Sequence, residues 1–174
     1  MLRMKTHQVY IGMGGNIGDT VTILNRSLEE MRALEEVVNF RCSNFYKTSP
    51  VGPVPQDDYV NAVCTFETTL TPTDLHQHLR EIEKKLGKFP KPKDHPRVID
   101  LDLLLHGMEV VNEPDLEVPH PKWDERLFVL IPMRELVDQL SFKDQAGRLI
   151  KLDLDDVIQN FDNVNDEKLE VIKG

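Results

Sequence analysis

Cysteine is scarce in this chain. Cys42 and Cys64 are the only two in 174 residues and neither lies in a CxxC, so no disulfide framework is expected. Free, buried thiols in a cytosolic protein fit both. Long apolar runs are absent as well. No stretch approaches the ~20 apolar residues of a membrane span, and Met1 to His7 has no long apolar segment, so neither a spanning helix nor a signal peptide is expected. There is no internal repeat and no low-complexity segment. Positive charge is in deficit: 21 Lys and Arg face 30 Asp and Glu, a net charge of −9, which argues against a general nucleic-acid or anionic-membrane surface. A small anionic ligand is still admissible, because one basic cluster and a metal reverse the sign inside a cleft. What is present, 40% hydrophobic and 29% charged residues, suits a single globular domain spanning 1–174.

One stretch stands out, Pro96-Arg97-Val98-Ile99-Asp100-Leu101-Asp102-Leu103-Leu104-Leu105. Rich in Leu, Ile and Val and free of Gly, it reads as a buried strand. Alternation puts Ile99, Leu101, Leu103 and Leu105 on one apolar face. Asp100 and Asp102 share the other, with alpha-carbons roughly 6.7 Å apart. Two readings stand here. One is a strand with one wet face. The other is a site for one or two divalent metals, since neighbouring carboxylates repel unless a cation lies between them. Hard oxygen ligands suit magnesium, which takes one or two carboxylates plus substrate phosphates. Arg97, just upstream, offers a phosphate its planar fork.

Around this stretch the periodicities change in a telling order. Val9, Ile11 and Met13 alternate with Tyr10, Gly12 and Gly14 as a first strand. The turn Gly14-Gly15-Asn16-Ile17-Gly18-Asp19 follows and lacks the Lys-Ser/Thr of a P-loop. A helix is expected over 20–37, a strand over 38–47, a Pro-rich loop over 48–58, and a strand over 59–69. On that strand Val60, Ala62, Cys64 and Phe66 share an apolar face, and Tyr59, Asn61 and Val63 share the other. The next helix starts at the Thr71 cap, buries Leu75, Leu79, Ile82 and Leu86, and stops at Gly87. His76 and His78 read as solvated. Lys88 to His95 is a second Pro-rich loop, in which Lys91 and Lys93 read either as solvated or as a phosphate-side lid. Strand, helix, strand, strand, helix, strand is the order of an α+β, ferredoxin-like βαββαβ core, an antiparallel sheet with helices packed on it. A hairpin strand over 107–118, a rigid Pro119-His120-Pro121 turn, a short helix over 127–136, and a C-terminal strand pair with a short helix complete the expectation.

Six segments in register, Ile11 to Asp19, Phe45 to Gly52, Asp58 to Ala62, Pro96 to Leu105, Val118 to Pro121 and Glu125 to Leu130, resemble the 6-hydroxymethyl-7,8-dihydropterin pyrophosphokinase family of folate synthesis. The resemblance implies transfer of an intact pyrophosphoryl group from ATP to the pterin's hydroxymethyl oxygen, with release of AMP. It implies two Mg2+ ions on Asp100 and Asp102, and a catalytic set of Arg97, Asp100, Asp102 and His120. ATP contacts fall to Lys88, Arg97, His120 and Arg126, Lys88 standing where the family usually has arginine. Thr48, Val51, Tyr59, Asn61 and Phe128 match the pterin pocket. The residue types agree with that chemistry. A flat heterocycle wants an aromatic face, Asn offers ring edges both a donor and an acceptor, and loose phosphoryl transfer needs alignment and charge neutralisation. ATP and the pterin are the expected partners, with no nucleic acid and no membrane, and the protein is expected to be a cytoplasmic monomer. The chain departs from the family at Asp94-His95, where tryptophan and glycine are usual. Two competing readings are a catalytically weakened nucleotide- or pterin-binding homologue and another Asp-x-Asp metal-dependent transferase.

Overall fold

Strand β1 (His7–Gly15) runs through the middle of the protein, in a computed structural model that describes residues 4–90, 92 and 95–172. Its alternation feeds two cores: Val9, Ile11 and Met13 enter one, and Tyr10 enters the other, on the opposite face of the sheet. β1 lies antiparallel between β4 (Tyr59–Thr68) and β5 (Asp100–His106). β2 (Val37–Cys42) and β3 (Tyr46–Thr48) both pair with β4, and β10 (Leu169–Val171) adds outside β3. Helices α1 (Thr20–Arg32) and α2 (Pro72–Lys85) bring Leu24, Leu28, Met31, Leu75, Leu79 and Ile82 onto the first core. This is the ferredoxin-like α+β arrangement expected. The hairpin β6 (Val111–Glu113) and β7 (Leu116–Val118) follows β5. The second core is closed by a 3-10 turn (Trp123–Glu125), α3 (Leu127–Arg134), the hairpin β8 (Gln139–Lys143) and β9 (Leu149–Asp153), and α4 (Leu154–Gln159). Among the described residues no helix is long and apolar enough to cross a membrane.

Local chemistry fixes the helix ends. Asp19 caps α1 by accepting from Thr22 N at 3.3 Å, and Thr71 caps α2 by accepting from Asp74 N at 3.2 Å. At the other end of α2, Gly87 turns left-handed with φ of 100°. Gly87 N donates to Lys84 O at 3.1 Å and Lys88 N to Glu83 O at 3.0 Å. This paired Schellman closure folds Lys88 back over Glu83.

Five expectations change. The strand expected over 38–47 is two, because Ser43 leaves the ladder's regular pattern. Its N–H donates to Val63 O at 2.9 Å, and its hydroxyl accepts from Val63 N at 3.0 Å. The strand carrying the paired acids begins at Asp100, since Arg97 spends its carbonyl on Asn16 N and Ile17 N, at 2.8 and 3.2 Å. Tyr10 pairs with Leu105 but Ile11 with Leu103, so Leu104 is the extra residue of a bulge. Leu105 therefore joins the second core rather than the apolar face of Ile99, Leu101 and Leu103. The first helix ends at Arg32, short of residue 37, in a turn closed by Leu34 N donating to Met31 O at 3.2 Å. His76 and His78 are half-buried rather than solvated. Cys64 is buried and Cys42 half-buried, directly opposite each other and both free. Lys91, Lys93 and Asp94 lie outside the described residues.

Candidate active site

The face of the sheet beside the second core opens into a cavity of about 500 Å³. Glycine makes its floor. Gly14 lies between Asp100 on β5 and Asn61 on β4, and Gly12 lies beside Asp102. A Cβ on Gly14 would come within 2.1 Å of Asn61 Oδ1, so only glycine leaves both the amide and the floor open. Thr48, Val51, Tyr59, Asn61, Arg97, Asp100, Asp102, His120, Arg126 and Phe128 all line this cavity. Lys88 reaches it through Asp100. A second hollow of about 240 Å³, with His76, Arg80, Asp115 and Glu117 on its walls, shares Asp102 and His120 with the first.

The acids are held in a charged cluster. Lys88 Nζ sits 2.7 Å from Asp100 Oδ1 and 2.9 Å from Glu83 Oε2. Glu83 is 1% exposed, accepts from Leu101 N at 2.8 Å, and pairs with Arg80 at 2.5 Å. Its carboxylate thus ties α2 to the edge strand β5. Burial works against the Lys88 ammonium, but the hydrogen bonds and charges of Asp100 and Glu83 outweigh it and raise its pKa. Among the described residues Asp102 has no such salt bridge. Burial first, then the charges of Asp100 and Glu83, push its carboxyl up to about 6. A carboxylate so frustrated is a place where a cation is favoured.

His120 is placed by its own backbone, whose N–H donates to Leu104 O at 2.9 Å. Its Nδ1 accepts from Lys122 N at 3.3 Å, which leaves Nε2 to carry the ring proton. Burial, then the charges of Arg126 and Lys122, lower its pKa to about 4. The ring is therefore neutral at pH 7 and donates through Nε2. The linkage sign follows. Between pH 6.5 and about 4 the unfolded chain takes up a proton that the native ring refuses, so the contribution of His120 to stability falls as pH falls through that window. The ring is half-buried, so solvent screening reduces the effect to about 1–2 kcal/mol. Urea melts of wild type and His120→Gln at pH 7 and pH 4.5 check this. The variant is expected to lose less stability on acidification, and parallel losses would contradict it.

On the other side of the glycine floor, Asn61 Nδ2 donates to Thr48 Oγ1 at 2.6 Å, which fixes the amide's orientation. Arg126 lies over the Phe128 ring, 5.5 Å from its centroid. Asn16, in the glycine turn, is a cross-brace. It donates to Gln56 Oε1 and Asp57 O, both at 2.9 Å, and accepts from Arg97 N at 2.8 Å, joining the two Pro-rich loops across the mouth.

The sequence profile of the family described as 7,8-dihydro-6-hydroxymethylpterin-pyrophosphokinase (HPPK) matches residues 10–138. The chain belongs to the HPPK family. The 2-amino-4-hydroxy-6-hydroxymethyldihydropteridine pyrophosphokinase of Synechocystis sp. is 37% identical over 132 residues, covering 76% of this chain and 67% of that relative. The protein of the same name from Haemophilus influenzae is 37% identical over 131 residues, covering 75% and 82%. A crystal structure of Plasmodium falciparum HPPK-DHPS superposes with a TM-score of 0.57 at 14% identity, over 76% of this chain and 41% of that longer one. At that identity the likeness bears on the fold.

Reading the sequence did not assign Lys122 or the tail pair Asn165 and Glu167, which line this cavity, nor Glu83, which is tied to its wall through Lys88 and Asp100. Only Glu83 left a signal, since it lies four residues after Leu79 on the buried stripe of α2. Among the described residues no group of three or more His, Cys, Asp or Glu could hold a metal ion by itself. The donor set still fits magnesium, which completes its shell with water and phosphate oxygens. Asp100 and Asp102 share the cavity wall, where burial and the neighbouring acids hold the Asp102 carboxyl above its ordinary value.

Proposed function

We propose that residues 1–174 act as one pyrophosphokinase domain whose cavity transfers the pyrophosphoryl group of ATP to the hydroxymethyl oxygen of 6-hydroxymethyl-7,8-dihydropterin, in folate biosynthesis. The observation that carries this reading is the placement of Asp100 and Asp102 together on the wall of the larger cavity, with Asp102 and His120 standing where the two hollows meet. It supports a pterin in the larger cavity and a nucleotide reaching it past His120. Asn61 and Thr48 give ring edges fixed polar partners, and Tyr59 and Phe128 offer aromatic faces. Arg97 and Arg126 neutralise phosphate charge, the Nε2–H of the neutral His120 ring donates a hydrogen bond to it, and Lys88 balances the acids.

The new bond joins the pterin hydroxyl oxygen to the β-phosphorus, and the hydroxyl proton is released to solvent. The bond that breaks links the β-phosphorus to the α–β bridging oxygen, whose electron pair leaves with AMP. Asp100 and Asp102 would hold two Mg2+ ions, which when bound supply charge neutralisation and in-line alignment of the phosphates. The chain's own contribution is orientation, by the glycine floor and the Asn16 brace. We read it as a monomer and place it in the cytoplasm; the unbonded Cys42 and Cys64 are consistent with a reducing compartment. The test is product analysis with ATP, Mg2+ and the pterin. AMP and pterin diphosphate are expected in equal amounts. ADP, or no AMP that depends on the pterin, would defeat the reading.

A further inference from the structure

The wall of the larger cavity includes a segment of acidic tail that lies beyond the family match, which ends at residue 138. Residues 160–168 lead from α4 into β10, where Leu169 pairs with Thr48. Two more bonds lock the register: Ser49 N donates to Lys168 O at 3.1 Å, and Lys168 N donates to Ser49 Oγ at 3.0 Å. This seats Glu167 on the cavity wall near Thr48 and Phe128. Glu167 is 7% exposed. Asn163 clamps its backbone, accepting from Glu167 N at 2.8 Å and donating to Glu167 O at 3.1 Å. One carboxylate oxygen, Oε2, accepts from Leu127 N at the start of α3, at a long 3.3 Å. The other, Oε1, is buried with no hydrogen-bond partner among the described residues.

A role at the entry of α3 accounts for Oε2 alone. A buried carboxylate oxygen left unpaired is costly, and the residue that carries it lines the larger cavity. We propose that Glu167 is a specificity residue for the pterin, its carboxylate accepting from the ring's 2-amino group and N3–H. These two donors lie side by side in the ring plane, as in half of a guanidinium, and match the two oxygens of a carboxylate. The terminal carboxylate torsion is soft, so either oxygen can turn to the ring. Asn61 and Thr48 hold another edge of the heterocycle, and Phe128 its face. This rests on the placement of the pterin in the larger cavity.

Steady-state kinetics with two substrates test it: the natural pterin and an analogue lacking the 2-amino group. Glu167→Gln keeps an acceptor for Leu127 N but sets an amide in place of the acid. It is expected to raise KM for the natural pterin about 10–100-fold, the range for a hydrogen bond to a charged group. KM for ATP is expected to stay unchanged. Wild type is expected to prefer the natural pterin strongly, and Glu167→Gln to lose that preference. Glu167→Asp restores part of it, and carries the test if the Gln variant melts early. Equal losses on both substrates, or no change on either, would reduce Glu167 to a helix-entry acid and overturn the proposal. Asn61→Ala separates the two levels of inference. If it weakens the pterin while Glu167→Gln does not, Glu167 alone is misassigned. If neither variant affects the pterin, its placement in this cavity is wrong.

Discussion

Asp102→Asn is expected to lower turnover by about 10³-fold or more, the scale on which a group stabilising transition-state charge is lost, while the protein melts no earlier than wild type. The two halves of this result have one cause. Among the described residues Asp102 is the acid of the cluster without a salt bridge, and its carboxyl is pushed up to about 6 by burial and by the charges of Asp100 and Glu83, which outweigh those of Arg80 and Lys88. Replacing it with a neutral isostere removes repulsion from the fold and removes a magnesium ligand from the reaction. The sign can be checked in chelator. A carboxyl whose folded pKa lies above its unfolded value binds a proton more tightly when native, so the contribution of Asp102 to stability declines as pH rises from about 4 to about 6, opposite in sign to that of His120. The Asn variant is expected to lack that decline and to gain on wild type by about 1–3 kcal/mol at pH 7. Calorimetry at pH 4.5 and pH 7, beside an AMP-release assay, measures both halves. An early melt would make Asp102 a structural residue. Retained turnover would move the metal elsewhere.

The paired acids were legible because the strand period is two, so one glance at residues 96–105 puts Asp100 and Asp102 on one face. The same rule misplaced Leu105. Alternation assumes a register without insertion, and the bulge at Leu104 is decided by the pairing partner, Tyr10 on β1, far away in the chain. The βαββαβ order was legible because each element announces its own period and caps, as Thr71 and Gly87 do for α2. The tail was not. Glu167 acquires its place only when β10 finds the edge of β3, a pairing between residues 169–171 and 46–48 that no local pattern encodes. Acid-rich sequence at a chain end reads as solvated until that partner is seen. Glu83 is an intermediate case, an acid on an apolar stripe, whose meaning depended on Lys88, Arg80 and the free N–H of an edge strand arriving together.

Glu83→Ala is expected to cost about 3 kcal/mol, the order for breaking a buried ion pair, which in a chain of 174 residues lowers Tm by roughly 6–12 °C. Three donors would lose their acceptor at once: Arg80, the Lys88 ammonium and the Leu101 N–H. Two of them are charged, and the third is the backbone of the strand that carries both acids. Glu83→Gln keeps one acceptor and is expected to lose about half as much. The loss is expected to reach function as well. In the native cluster Lys88 divides its bonds between Glu83 and Asp100, which leaves Asp100 a ligand that a divalent cation can take over. Without Glu83 the ammonium has Asp100 as its remaining partner and competes harder for it. The Mg2+ concentration for half-maximal activity should therefore rise in Glu83→Ala, and Lys88→Met in the same background should bring it back down. A melt unchanged from wild type would mean that the cluster contributes no net stability. A Mg2+ requirement indifferent to Lys88 would mean that its ammonium and the metal do not share Asp100.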